Sequence, residues 1–525
     1  MSMESSAGRR IFGVILLIFI FGLAASIVVY VVKPWKQKKL EKETGSESQY
    51  KKETTGRADN FPSYSIFRSK ETREGVKKDS IKLTIEDDSK DPDMYFSRMK
   101  ALKNGDIDWA VFTIDSFLTA GIVGLKGEFP GTIVLPIDVS IGADAMLVKG
   151  DIKSIEELNR PDTRFVLIKN SPSEFLTRFA IAYFNLSNIP KDCMIEAESA
   201  EDVYNRFRKD SGSAPRVYVM WEPFVSKAVE AGGKIVFSSE KLKDGIFDVL
   251  VVSRKFLKEN PSIVKSVVES YLSAAYFYKD SMVDLVIEDA KLLGRKIERK
   301  DAENIVKRLR LKNTLESYAH FGLLSKEDSK GLDNMEDIIS MIADVLIATG
   351  AFSQSDFDKV QISSLFNKDI LETLKREGFR PSKLDSLVVG DTESLGQVRG
   401  DVELPELTDE QWNSLIPVGK MKIEPIEFRR GTSELWIQSK RDLDELSSKL
   451  GSMPYYYLLV TGNARAEGDI EANKVLAEER AKAVVEYLVL ECSVSRNRIK
   501  AIAATPSSKG AEAQSVAFQL GQTPY

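Results

Sequence analysis

Histidine occurs once in this chain of 525 residues, at His320, and cysteine twice, at Cys193 and Cys492. One imidazole cannot build a histidine-rich metal site, and it argues against a Ser-His-Asp arrangement. Its ordinary role is packing. The two cysteines fall in different parts of the chain, so neither a disulfide framework nor a zinc cluster is readable. A phosphate-cradling glycine loop, a Gly-x-Ser-x-Gly elbow and a His-Glu-x-x-His pair are also missing. No catalytic or metal-binding residue is assigned, no cofactor is expected, and the chain is not expected to be an enzyme. The formal net charge is only −5, and no basic stripe interleaved with aromatics occurs, which argues against nucleic acid as a partner.

Charge is absent again between Ile11 and Val32, a continuous apolar run. At about 1.5 Å per helical residue it is long enough to cross the roughly 30 Å hydrocarbon core of a bilayer. Arg9 and Arg10 precede it, and Tyr30 and Trp35 suit the far interface. Ala24-Ala25-Ser26 has the small residues of a cleavage site, but apolar residues continue beyond it. The reading is an uncleaved signal anchor over 11–32 behind a short cytoplasmic tail, 1–10. No Asp or Glu lies in the span, which excludes a stator-type proton path through it. Lys33, Lys36, Lys38, Lys39 and Lys42 outnumber the two arginines. Counted alone they would hold the bulk of the chain in the cytoplasm.

Residues 33–60 are rich in Lys, Glu, Ser, Thr and Gly and read as a flexible tether. From 61 to 350, β-rich runs alternate with helical patterns: 81–85, 109–112, 131–136, 145–148, 164–168, 216–220, 234–237 and 248–252. This predicts an α/β domain, doubly wound, with a helical tail from about 260. Residues 351–420 read as an acidic connector with some helix. From 421 to 525 the expected order is strand, helix, strand, long helix, strand, strand, an α+β domain.

Several segments of the middle domain fall in a recognisable order. Residues 101–108, Ala-Leu-Lys-Asn-Gly-Asp-Ile-Asp, are followed by Phe112-Thr113-Ile114-Asp115-Ser116. Then come 136–145, Pro-Ile-Asp-Val-Ser-Ile-Gly-Ala-Asp-Ala, a Ser-x-Glu-Glu-Leu helix ending at Leu158, and Trp221-Glu222-Pro223-Phe224 directly after a strand. This resembles the periplasmic solute-binding proteins of the taurine, nitrate and thiamine-precursor type. The resemblance implies two α/β lobes (type II) around a cleft, and a small polar or anionic solute. Thr113, Asp115, Ser116, Ser140, Asp144, Ser171, Ser173, Trp221 and Glu222 are then the candidate ligand residues. Ser171-Pro172-Ser173-Glu174 reads as a capping box with proline at the first helical position. Such a helix start suits a ligand anion, or it simply caps a helix. Asp115 and Asp144 bind a ligand amine or cap helices, and Trp221 covers an apolar part of the ligand or packs the hinge. The family opens with a strand and a glycine-rich loop, of which only Phe61 to Ser65 is visible. No arginine fork for a sulfonate stands among the cleft candidates.

At the other end, Thr461 to Tyr487 runs from a strand through a glycine turn into a helix with Asn473, Leu476 and Arg480 on one side. This resembles the OmpA-like peptidoglycan-associating domain, with Ile426-Glu427-Phe428 as its opening strand. The resemblance implies that Arg480 grips the carboxylate of the peptide stem, and Asn473 matches the family's helix asparagine. The turn position that carries the family's aspartate is Arg465 here, which cannot take an ammonium group. Arg465, Asn473 and Arg480 are therefore assigned to peptidoglycan or to another envelope partner.

Both resemblances belong outside the inner membrane and override the lysine count. The expectation is a single-pass bacterial inner-membrane protein with its bulk in the periplasm. It captures a solute for an ABC permease or another membrane protein, and its OmpA-like end touches the envelope. The alternative is a non-catalytic scaffold whose degenerate lobes serve as spacer or docking surface.

Overall fold

The computed structural model describes residues 50–212, 215–381, 403–463, 468–504 and 516–523. The expected anchor at 11–32 and Arg465 lie outside these residues. Among the described residues no helix is long and apolar enough to cross a membrane.

All eight strands expected in the middle domain are strands, and they divide between two sheets. The first sheet holds β1 (Lys52–Arg57), β2 (Ile81–Glu86), β3 (Trp109–Thr113), β4 (Gly131–Ser140), β10 (Phe247–Ser253) and β11 (Leu309–Leu311), in the order β11-β4-β10-β3-β1-β2. The second holds β5 (Asp144–Val148), β6 (Arg164–Leu167), β7 (Met194–Glu196), β8 (Arg216–Trp221) and β9 (Lys234–Ser238), in the order β7-β6-β8-β5-β9. The chain crosses between sheets twice, over residues 141–143 and again over 239–246. Each sheet with its helices is one lobe, so the two-lobed α/β arrangement expected from the resemblance is present. Strand β4 is buried at all 10 of its positions. A strand covered on both faces reads as a near-continuous apolar run, which is why it was legible.

Strand β1 corrects the sequence reading, which placed these residues in a flexible tether. Its sequence, KETTGR, carries no apolar signal. Backbone pairing holds it instead: it lies parallel to β2 over its whole length and to β3 at Gly56 and Arg57. Thr54 is buried because its hydroxyl donates to Asp108 at 3.0 Å. Gly56 lies under the indole of Trp109, where a Cβ would come within 2.1 Å of the ring. The family's first strand is therefore present, and Phe61 to Ser65 follow its carboxyl end.

The connector also needs redrawing. Helices Gln354–Phe357 and Asp369–Arg376 belong to the first lobe. Leu365, Leu371 and Leu374 are buried there, and Ile133 N–H donates to the Leu365 carbonyl at 2.9 Å. At its far end Ile416–Lys420 is already β12, the first strand of the terminal sheet. That sheet runs β12-β15-β13-β14, with β13 (Tyr457–Gly462), β14 (Ile499–Ala503), β15 (Val516–Gln522) and helices Ile437–Gly451 and Ile470–Leu490. The expected element order holds. The opening strand does not sit at Ile426-Glu427-Phe428, which makes only a single bridge between Phe428 and Leu435.

The terminal domain docks on the second lobe. Met421 bridges Phe184, Asn185 N–H donates to the Lys420 carbonyl at 2.9 Å, and Lys243 N–H donates to the Ser452 carbonyl at 2.9 Å. Helix Met335–Ala348 packs against both the Ile114–Thr119 helix of the first lobe and the Pro172–Tyr183 helix of the second. It therefore straps the two lobes together.

Candidate functional site: the cleft between the lobes

Strand ends deliver side chains to the space between the lobes. Thr113 ends β3, Ser140 ends β4, Asp144 opens β5 and Trp221 ends β8. All four line one small cavity with Tyr64, Tyr95 and Asp248. Its volume is about 20 Å³, room for about one water molecule. The lobes are closed on each other.

The polar groups here are mostly satisfied by one another. Thr113 Oγ1 and Ser116 Oγ lie 2.7 Å apart, and Ser116 donates to Asp115 Oδ2 at 3.2 Å. The Ser140 hydroxyl donates to Asp144 Oδ2 at 2.6 Å. Burial pushes Asp144 up to about 7 and Asp115 up to about 6, against the pull of these hydroxyls. Asp115 Oδ1 and Ser173 Oγ are buried without a hydrogen-bond partner among the described residues. Asp115 and Ser171 face a second space of about 60 Å³ between the two helix starts, closed by Leu346 and Ala351.

Two predicted residues are engaged elsewhere. The Ser171 hydroxyl donates to the Ile168 carbonyl at 2.6 Å, so the expected capping box does not form. Pro172 does occupy the start of that helix, and Glu174 takes Asn170 N–H at 2.6 Å and Arg178 Nε at 2.7 Å. Glu222 is 1 % exposed and turns away from the cleft. Its Oε1 accepts from Ser226 Oγ at 2.9 Å and Arg308 Nη1 at 2.8 Å, and its Oε2 accepts from Ser226 N–H at 3.1 Å.

Sequence reasoning missed a buried carboxyl pair beneath the cleft. Asp138 on β4 and Asp248 on β10 face each other across the ladder. Ser63 donates to Asp138 Oδ1 at 3.1 Å, and the Tyr64 hydroxyl donates to Asp248 Oδ1. The Oδ2 atom of each has no other partner. Burial raises Asp138 to about 7, and burial and the Asp138 charge raise Asp248 well above the usual carboxylate range. Two adjacent carboxyls in a dry site resist being ionised together. The signal was available, since each aspartate interrupts an otherwise apolar strand. Asp59, also at the cleft, is different: fully buried Arg98 pairs with it at 2.9 Å and with Asp88 at 2.5 Å. Among the described residues no lysine or arginine lines this cavity. Carboxyls and aromatic rings dominate, a surface that suits hydrogen-bond donors and positive charge better than an oxyanion.

In the terminal domain, Arg480 is 8 % exposed. Its Nε donates to the Thr432 carbonyl at 3.0 Å, and its guanidinium lies 4.8 Å from the centre of the Phe428 ring. The segment expected as a strand thus covers the expected peptidoglycan arginine. Asn473 sits in the first turn of the Ile470–Leu490 helix, its N–H on the Asp469 carbonyl at 3.0 Å.

Residues 427–516 match the OmpA family. No curated protein matches the chain. Among solved structures, the ligand-binding component of an ABC-type import system from Staphylococcus aureus is similar at 14% identity and a TM-score of 0.45, over 61% of this chain and 98% of its own. The alkanesulfonate-binding protein SsuA from Xanthomonas axonopodis, bound to MOPS, is similar at 14% identity and 0.44, over 60% and 98%. The nitrate-binding protein NrtA from Synechocystis is similar at 10% identity and 0.45, over 62% and 88%. Residues 427–516 thus form an OmpA-family domain, and the two-lobed α/β domain before it is similar in fold to a ligand-binding component of an ABC-type import system, an alkanesulfonate-binding protein and a periplasmic nitrate-binding protein.

Proposed function

We propose that this protein is an extracytoplasmic solute-binding protein, anchored in the bacterial inner membrane by Ile11 to Val32 and associated with the envelope through its OmpA-family end. Its lobes hold a small polar solute that donates hydrogen bonds or carries positive charge, and pass it to an ABC permease or another membrane protein. The observation that carries this reading is the cleft itself, where strand ends from both lobes bring carboxyls and aromatic rings together around a small cavity that, among the described residues, no lysine or arginine lines. Asp115 Oδ1, buried and unpartnered, supports a ligand donor at the helix starts. Thermal unfolding of the full-length protein across a panel of amines, neutral polar solutes and oxyanions tests it. A rise in Tm with an amine or neutral donor is expected by ligand linkage. A rise with sulfonates alone would reverse the ligand chemistry. A reporter fused after Tyr525 reads periplasmic activity if the orientation is right.

The scaffold reading has its own support. The cleft holds about 20 Å³, and the Met335–Ala348 helix straps it shut. Silence across the whole panel would favour it. Arg480 is occupied by Thr432 and Phe428, so peptidoglycan binding of the family kind requires that segment to move aside. Sedimentation with purified peptidoglycan, for the wild type and Arg480→Ala, separates the two modes: loss on substitution supports the family grip, and equal retention supports another contact.

A further inference from the structure

A cavity roomier than the cleft lies behind the hinge. It encloses about 470 Å³, within the range that holds a small organic ligand. Three parts of the chain build it. Gly142 comes from the first crossing between lobes, Glu240 from the second, and Tyr455 from the OmpA-family domain. The rest of the wall includes Lys307, Arg308 and Arg310, on β11 and its approach, together with Lys243, Asp244 and Leu332.

Arg308 closes the preceding helix and Arg310 sits in the strand Leu309–Leu311, and both line the cavity, while Lys312 is buried beyond the strand. Buried carboxylates hold each one from behind. Arg308 Nη1 donates to Glu222 at 2.8 Å, Arg310 Nη1 donates to Glu316 at 3.0 Å, and Lys312 Nζ donates to Asp244 at 3.0 Å. Glu222 and Glu316 are each 1 % exposed. These pairs balance charge but not donors. A guanidinium has five N–H groups in a rigid fork, and among the described residues neither arginine finds a second side-chain or backbone acceptor. Lys307 is exposed and, among the described residues, has no ion pair. Guanidinium N–H groups without a second acceptor among the described residues therefore line a roomy, half-open space, whose wall also carries the carboxylates of Glu240 and of Asp244, the latter held by Lys312.

We infer that this cavity is a second binding site, for a small oxyanion bearing carboxylate or phosphoryl groups. Arg308 and Arg310 receive the oxygens and Lys307 adds charge at the rim. The site stands apart from the cleft, although Glu222 links the two: it follows cleft-lining Trp221 and holds Arg308. Because both crossings and the terminal domain contribute to the walls, an occupant braces the hinge.

The test is isothermal titration of the full-length protein with inorganic phosphate and, separately, with succinate. Saturable binding by either is expected, and the stronger of the two assigns phosphoryl or carboxylate chemistry. Lys307→Glu and Arg310→Lys should each weaken it by about tenfold or more, the first through charge and the second through loss of the fork. Arg310→Lys keeps a cation on Glu316, and Lys307 is exposed, so both variants should keep the wild-type Tm in the absence of anion. Asp144→Asn, in the cleft, should leave anion binding unchanged. No saturable binding by either probe, or wild-type affinity in both Lys307→Glu and Arg310→Lys, overturns the inference. Loss in Asp144→Asn with retention in the other two moves the anion to the cleft and overturns it as well. None of these outcomes depends on an amine binding between the lobes.

Discussion

Asp144, Asp138 and Asp115 give the folded protein a pH dependence of definite sign. Burial raises them to about 7, about 7 and about 6, from an ordinary value of 3.8. The folded state then holds protons that the unfolded chain has released. Stability from these groups is full below their ordinary range and is lost as pH rises through 6 to 7. His320 works the other way. Burial pulls it down to about 3, its Nδ1 lies 2.7 Å from the Asp333 carbonyl oxygen, and it costs stability as pH falls below 6.5. Three carboxyls outweigh one imidazole, so stability should fall between pH 5 and 8. Asp144→Asn keeps an acceptor for Ser140 and removes the charge. It should raise stability at about pH 8 by about 2–4 kcal/mol and flatten the slope, read by urea unfolding across pH. A slope equal to that of the wild type would remove Asp144 from this account. The same carboxyls make amine affinity rise with pH across this window, since a bound cation favours their charged form. Of these residues the sequence disclosed Asp115 and Asp144 through a family pattern. Asp138 and Asp248 each stand out in an apolar strand, but two strands distant in the chain set them face to face, and that pairing has no local signature.

At the scale of elements, legibility followed burial. Strands such as β4 and β10 are covered on both sides and are rich in Val, Ile and Leu, so composition found them. Strand β1 is polar, and only its neighbours make it a strand. Gly56 shows the constraint: it is small because Trp109 lies over it, not because a turn needs it. Gly56→Ala should destabilise the protein by about 3 kcal/mol through overpacking. Gly105→Ala makes a useful contrast. A Cβ there meets nothing within 4 Å, and the cost comes from a φ of +78° alone. Differential scanning calorimetry of the two variants separates crowding from backbone strain, and a Gly56→Ala protein with wild-type Tm would mean that β1 is not held as described. The terminal sheet carries the same lesson. Its first strand was sought at residues 426–428, where the family pattern suggested it. The strand formed ten residues earlier, where Val418 and Met421 are buried against the second lobe and β15, and Phe428 was left to cover Arg480.

The whole molecule turns on how its lobes are joined. The crossings at 141–143 and 239–246 make a hinge, and the two lobes were expected from the order of motifs along the chain. The strap was not, because a helix that touches both lobes looks in sequence like any other amphipathic segment. Arg178 fastens its end: Nη1 donates to the Thr349 carbonyl at 2.7 Å while Nε holds Glu174 at 2.7 Å. Arg178→Ala should therefore loosen the strap with a modest loss of stability, about 1–2 kcal/mol. In stopped-flow measurements of Trp221 fluorescence, the variant should take up and release an amine ligand several times faster, with a smaller change in Kd. Unchanged rates would show that the strap does not gate the cleft. A clasp of this kind makes residence time, rather than affinity, the property most exposed to selection: a molecule caught inside leaves only as often as the buckle slips, so the carrier can hold its cargo until something at the membrane prises it open.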